Sequence, residues 1–595
     1  MTSKANSKLS RVLAVGIGPE GRAALVGLRQ RIGERYGDPD ALPWLKLLSL
    51  NVGRPGPHPA GADQRSRLPP SSELSLGISE EQLRELRRSP EQFPHIVEWL
   101  GGGVPSAGAG GGFRSTRAYA RLGFFNSYPA LIEKLGQSVN SLTSRPIGGL
   151  DLGERRVNVG TDVVIYVVGS LAEQASGVFV DAACVIRHQL QLRNVDPTDV
   201  VGIFSLPPPD EVDESARADA YAALKELNHY LRGGAGFGAR YGKFAAPLRT
   251  NQPPFRRCYL LAADGAAAAD RLFFEITCEY GPAVRAAHGA ALGAEKAPGK
   301  RAGYFCTFGI RGRVFMKGRL EEVLACRLAQ AALRQWGGSG TGHAVAGVQR
   351  RLKEHEEEIL RLPLSAAAEG FAPEAWLEQA RRGREGTHLP EAVLKDVRAR
   401  LGVGGGSNAA PDLDEGKLFD AVLSASKARV GGAEAPHVLR LLTDDGAASL
   451  AEPTLSQMRR ATRPGLRLLR SRDREVPPEL FVVGVSDLEQ HRARLQRLLS
   501  GEGSANAPEV KWVETSDPHS VAFFREYVDL DPARIAGLEP LKVAYQKALF
   551  SGGRLLHSRT DVAWQPLEPE AENDAPLREP ESYPFVAGLS VGGGL

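Results

Sequence analysis

The sequence predicts an α/β fold built on a Rossmann-like parallel sheet, and three observations carry that expectation. Over the first 335 residues, apolar strand-like runs alternate with stretches of helical length, the pattern of a parallel sheet covered on both faces. Two of those runs end in a glycine-containing turn that leads into a helix, at 15–21 and at 167–179. The 595 residues are enough for roughly two to four domains, so a large sheet can be buried.

In chain order, the expected strands are Arg11–Gly16, Leu45–Asn51, Val163–Val168, Val200–Leu206 and Cys258–Ala262. Helices are expected near 20–36, 80–100, 114–137, 177–193 and 213–231, and these elements make a first domain over 10–265. Central helices around 266–293 follow, then a strand at 303–310 and a helix near 319–336, so that 266–340 opens a second α/β layer. Residues 341–470 read as a mainly helical insert, interrupted by a flexible-linker composition at 402–416. Strand signals return at 480–485 and 510–515, with helices at 487–500 and 532–550; a small α/β unit over 475–565 thus completes the second domain. The tail 566–595, rich in Pro, Glu and Gly, has the composition of a disordered segment, and the glycine-rich stretch 101–113 reads as a flexible loop.

Composition excludes several classes. A net charge of +4 over this length gives no electrostatic footprint for nucleic acid. The five cysteines are widely spaced and form no C-x-x-C pair, so neither a disulfide framework nor a metal site is expected. The amino terminus runs straight into a strand without a signal-peptide pattern, and no apolar run of membrane-spanning length occurs. A cytoplasmic protein without a membrane span is the expectation.

The first turn, "VGIGPEG", fits G-x-G-x-x-G through Gly16, Gly18 and Gly21. A dinucleotide site also needs an acidic residue at the end of the second strand to hold the ribose, and that position is Asn51. A nicotinamide dehydrogenase is therefore disfavoured. Another reading is that these glycines only permit close helix–strand packing. The second turn, "VVGSLAEQASGVFVD", offers Gly169, Ser170, Ser176 and Gly177, but carries Glu173 and Gln174 where a phosphate cradle would be glycine-rich.

Taken together, the two turns resemble those of the bacterial tubulin-like family, distant relatives of tubulin and of the cell-division GTPase. Members read close to G-S-L-A-G-G-T-G-S-G-x-F-x-D at the second site. Gly169, Ser170, Leu171 and Ala172 match its front, and Ser176, Gly177, Phe179 and Asp181 its back. The stretches at 113–125, 219–231, 303–310 and 538–557 are similar to other family segments. The resemblance implies a sheet of the tubulin/GTPase type and head-to-tail association with itself or with other proteins; no cofactor is expected, with GTP as the possible exception.

Against that pattern the phosphate turns look degenerate. Glu173 would set a carboxylate near a polyanion, and each like-charge contact at about 4 Å costs roughly 1 to 4 kcal/mol. Pro19 removes an N–H donor and Glu20 adds another acid. Asp219 stands where the family has Asn, and an ionised Asp accepts from a guanine edge but cannot donate. Ser170 and Glu173 also spell the capping-box pattern S-x-x-E, which predicts a helix starting a turn early and Glu173 serving as a built-in anion. The site residues expected, altered or vestigial, are Gly16, Gly18, Gly21, Gly169, Ser170, Glu173, Ser176, Gly177 and Asp219.

No catalytic residue or metal ligand is assigned. Asn194, Asp196 and Asp199 read as a solvated turn, and Glu275 and Glu279 as surface charges on a helix. Arg114, Arg117 and Arg121 recur on one helical face and read as a surface ion-pair face, with phosphate contact as the alternative. His229, His288, His343 and His557 show no ligand-like spacing. The leading expectation is a tubulin-like scaffold with a self-filled GTP site. The alternative is a GTP-binding, slowly hydrolysing protein that polymerises.

Overall fold

The computed structural model describes residues 9–314 except 53–66, 101–115, 145–149, 153–154, 196, 208–212, 232–234, 263–264 and 295–304. Beyond them it describes chiefly 479–484, 510–514, 520–528, 537–550 and 556–558. The helices expected at 319–336 and 487–500, nearly all of 341–470 with its linker, the loop 101–113 and the tail from 566 lie outside the described residues.

Strand β1 (Leu9–Ile17) is buried along its whole length. Its side chains alternate between two cores: Leu13, Val15 and Ile17 enter one, Val12 and Ala14 the other, the two-residue period of a strand covered on both faces. Helix α1 (Gly18–Tyr36) follows directly and stops at Gly37, whose φ of 81° and N–H bond to the Gly33 carbonyl make a left-handed cap. Strands β2 (Leu45–Val52) and β3 (Glu73–Leu76) come next. The helix expected over 80–100 is two, α2 (Glu80–Arg88) and α3 (Pro94–Leu100), separated by a 3-10 turn at Pro90–Gln92. The helix expected over 114–137 is likewise α4 (Arg117–Asn126) and α5 (Tyr128–Thr143). Proline supplies the break each time: Pro90, Pro94 and Pro129 lack the N–H that a helix interior requires and bias the preceding residue away from helical angles.

Strands β4 (Leu150–Leu152) and β5 (Arg155–Val157) form a short hairpin before the long central strand β6 (Val159–Ser170). Helix α6 (Phe179–Gln191), strand β7 (Pro197–Leu206) and helix α7 (Glu214–Leu231) continue the alternation. A second hairpin, β8 (Phe237–Ala239) and β9 (Leu248–Thr250), precedes β10 (Arg257–Ala262), α8 (Gly265–Thr277) and α9 (Tyr280–Ala294). The remaining described elements are β11 (Phe305–Val314), β12 (Glu479–Gly484), β13 (Val510–Glu514), β14 (Ser520–Tyr527) and α10 (Leu538–Phe550).

Among the described residues, ten strands form one sheet in the order β13-β12-β14-β11-β10-β7-β6-β1-β2-β3. All pairs from β3 to β11 are parallel. The carboxyl-terminal strands join through β11, which pairs with β10 at only two positions and then antiparallel with the whole of β14. The second layer thus meets the first edge to edge. Chain order reverses between β1 and β6, so the carboxyl ends of those two strands flank a topological switch point, the place where open α/β sheets hold ligands. Both glycine turns lie there.

Candidate site at the switch point

The first turn begins where β1 ends. Gly18 has φ +79°, a conformation that side chains disfavour, and Pro19 and Glu20 fill the first turn of α1. The second turn begins later than the capping-box pattern implied. β6 runs out to Ser170, so no helix starts a turn early, and the Ser170 hydroxyl accepts from the Ala172 N–H at 3.3 Å instead. Glu173 is extended and heads a 3-10 turn, Gln174–Val178, with the Ser176 N–H bonded to the Glu173 carbonyl at 3.0 Å.

The Glu173 carboxyl group crosses the switch point. Its Oε1 accepts from the backbone N–H of Glu20 at 3.0 Å, a donor in the first turn of α1. Its Oε2 lies against Gly18, in the volume that a β-carbon there would occupy. The acid therefore caps a different helix from the one expected. Its charge also departs from expectation. Burial raises the Glu173 pKa to about 8; the Glu20 N–H opposes that rise and the Glu20 carboxylate adds to it. Near neutral pH the group is mostly a neutral acid, a plug more than a fixed anion. Oε2 and the neighbouring Gln174 Oε1 are buried without a hydrogen-bond partner.

The glycines serve close approach. A β-carbon on Gly16 would meet the Gly21 carbonyl, one on Gly21 the Val168 carbonyl, and one on Gly169 the Ile17 carbonyl and the Phe179 ring. Gly177 lies flush on the backbone of Arg117. Gly177→Ala is expected to lower stability by about 1 to 3 kcal/mol, because backbone cannot yield as a side chain can; a urea midpoint equal to wild type would refute this.

The basic segment is the largest correction to the sequence reading. Arg114 lies outside the described residues, but Arg117 and Arg121 are fully buried, not a surface face. Arg117 donates from Nε to Ser176 Oγ at 2.8 Å, from Nη1 to the Leu556 carbonyl at 2.7 Å, and through both terminal nitrogens to Glu226 on α7. Arg121 pairs with Asp181 at the start of α6, donates to the Ser558 carbonyl at 3.0 Å, and stacks over Trp99 at 4.5 Å. The Tyr241 hydroxyl donates to the same Asp181 at 2.7 Å. Asp219 is buried in α7, which packs against the 174–178 turn. One signal in the sequence foretold burial: α4, "RAYARLGFFN", has no acid of its own and is apolar between its arginines.

Two acidic readings also change. Asp199 is buried in β7 and paired with Arg257, and Glu275 is buried between Arg271 and the Tyr166 hydroxyl; Asp196 lies outside the described residues and Glu279 is half-buried. The network extends to Glu526 on β14, which accepts from Arg271 and Tyr280. The Arg271 guanidinium also lies 3.8 Å from the Tyr259 ring centroid and 4.4 Å from that of Phe308. His288 contacts Arg257 at 2.7 Å, and burial with that cation pushes its pKa down to about 2. These buried groups join α8, α9, β6, β7, β10 and β14. His557 bonds Tyr545 at 2.8 Å, and His343 lies outside the described residues.

Other features leave the turns as the candidate site. Asn51 is buried at the end of β2 and accepts from the Ser49 hydroxyl at 3.2 Å, in the place a ribose-binding acid would take. A cleft of about 340 Å3 lies near the start of β2, but its Arg29 is paired with Asp40 and its Lys134 with the carbonyls of Pro70 and Ser71. Among the described residues there is no cluster of metal-ligating side chains, and no helix long and apolar enough to cross a membrane.

Comparison with solved structures finds CetZ from Methanosaeta thermophila strain DSM 6194, at 11% identity and a TM-score of 0.34, covering 91% of this chain and 92% of that one. It also finds an FtsZ dimer from M. jannaschii, at 10% identity and a TM-score of 0.31, covering 88% and 89%. A third is a GTPγS-form protofilament of TubZ from Bacillus thuringiensis serovar israelensis, at 9% identity and a TM-score of 0.31, covering 91% of each. No curated protein matches the chain. The family described as tubulin-like matches residues 13–334, more than half the sequence and the whole of the switch point; the chain belongs to that family.

Proposed function

We propose that this chain is a tubulin-like protein whose nucleotide turns are filled by its own Glu173, and that it works in the cytoplasm as a scaffold through association with itself or with other proteins. The observation that carries the reading is the Glu173 carboxyl on the Glu20 N–H, over Gly18. It takes a donor of the α1 amino terminus, where the helix would favour an anion. The contact proposed is the head-to-tail association of tubulin-like subunits, which yields filaments where rotation does not close.

The second reading, an active GTP-binding and slowly hydrolysing protein, draws on one observation. A Glu173 that is neutral up to about pH 8 repels phosphate less than a fixed carboxylate. Isothermal titration separates the two. The scaffold reading expects no micromolar binding of GTP or GDP, and assembly by light scattering that depends on protein concentration and not on nucleotide. Micromolar GTP binding by the wild-type chain would overturn it.

A further inference from the structure

Residues Leu556–Ser558 are held by the arginines that support the second turn, although 437 to 439 positions separate them from those arginines. The contacts are to main chain: Arg117 to the Leu556 carbonyl, Arg121 to the Ser558 carbonyl, and the Ser558 N–H to Glu226 Oε1 at 2.9 Å. The Ser558 hydroxyl adds bonds to both Glu226 oxygens at 3.1 and 3.2 Å, and His557 is held by Tyr545 of α10, which packs along α7. All three strap residues are buried.

A short chain of bonds leads from this strap to the plug. Glu226 fixes the Ser558 N–H and the Arg117 guanidinium together. Arg117 holds Ser176 Oγ, the Ser176 N–H holds the Glu173 carbonyl, and the Glu173 carboxyl takes the Glu20 N–H. The backbone of Arg117 also presses on Gly177 in the same turn. Arg117 is fully buried, and a partner lost there strands charge in a low dielectric.

We infer that the strap Leu556–Ser558 is an internal clasp that keeps the second turn closed over Gly18, so that releasing it lets Glu173 leave the Glu20 N–H. The inference rests on the reading of Glu173 as the group that fills the turns, and adds a means of regulating it. Coupling of this kind is reciprocal: whatever opens the plug must also loosen the strap.

Two measurements on the full chain test it. In His557→Asp/Ser558→Pro, a carboxylate faces Glu226 and the Ser558 donor is gone, so trypsin should cut faster at Arg559. Exchange of the Glu20 amide hydrogen should accelerate at least tenfold, while amides of β1 keep wild-type protection. In Glu173→Ala, cleavage at Arg559 should rise severalfold. A released strap with unchanged Glu20 exchange overturns the clasp. So does a Glu173→Ala chain cut no faster than wild type, which decides the matter if the double variant fails to fold. Neither readout uses nucleotide, so GTP binding by the wild-type chain would remove the scaffold reading without deciding this one.

Discussion

Arg271→Met is expected to destabilise the chain by roughly 3 to 5 kcal/mol, the usual penalty for removing one partner of a buried ionic group. Arg271 is fully buried and is the cation shared by Glu275 and Glu526, both also buried. Methionine fills much of the same volume and can lie against Tyr259 and Phe308, so lost packing is the smaller part of the effect. The larger part is two buried carboxyl groups left without their ion-pair partner. Burial already raises Glu526 above the ordinary carboxylate range, with Arg271 pulling it back. Without Arg271 that rise is unopposed and Glu526 is expected to take up a proton, so the loss should be smaller at pH 5 than at pH 8. Adding Glu275→Gln and Glu526→Gln should recover a good part of it, because an uncharged set needs no cation. Guanidinium denaturation of the single and triple variants at both pH values checks this. A single variant that melts like wild type, with no pH dependence, would show that the network carries no net charge coupling.

The second large effect is pH-dependent and belongs to Glu173. Its pKa is about 8 in the fold, against about 4.5 for an ordinary carboxyl group. Between those values the folded Glu173 holds a proton that the unfolded residue has released, so its contribution to stability falls as pH rises from about 4.5 to about 8 and is level outside that window. Glu173→Gln does not titrate, and its amide oxygen can still accept from the Glu20 N–H. The variant should match wild type at pH 4 and exceed it at pH 8 by roughly 2 to 4 kcal/mol. Paired thermal melts across the range are the measurement. A difference that does not change with pH would mean that Glu173 is ionised in the fold, and the neutral plug would be wrong.

The parts of the fold legible in the sequence were those with local causes. The runs at 11–16, 163–168 and 200–206 are apolar enough to be strands buried on both faces, and the structure extends each by only a few residues. Helix breaks at Pro90, Pro94 and Pro129 were equally local but were overridden by apolar periodicity. β14 was missed although Ala522 and Phe524 are core residues, since its place between β11 and β12 comes from distant pairing. Periodicity assigns arginines to solvent by default; Arg117 and Arg121 escape the rule because their acids and carbonyls come from α6, α7 and residues 556–558. Glu173 is legible in the sequence as an acid in the second turn, between Gly169 and Gly177. The residue it caps was not foreseen, as that depends on β1 and β6 being neighbours, and its neutral state depends on burial.

The strap also sets a schedule for biosynthesis. Arg117 leaves the ribosome 439 residues ahead of the carbonyl it will bind, an interval of roughly 20 to 90 s at ordinary elongation rates. Throughout that time the amino-terminal sheet must persist with two guanidinium groups short of acceptors, until Leu556–Ser558 has been made.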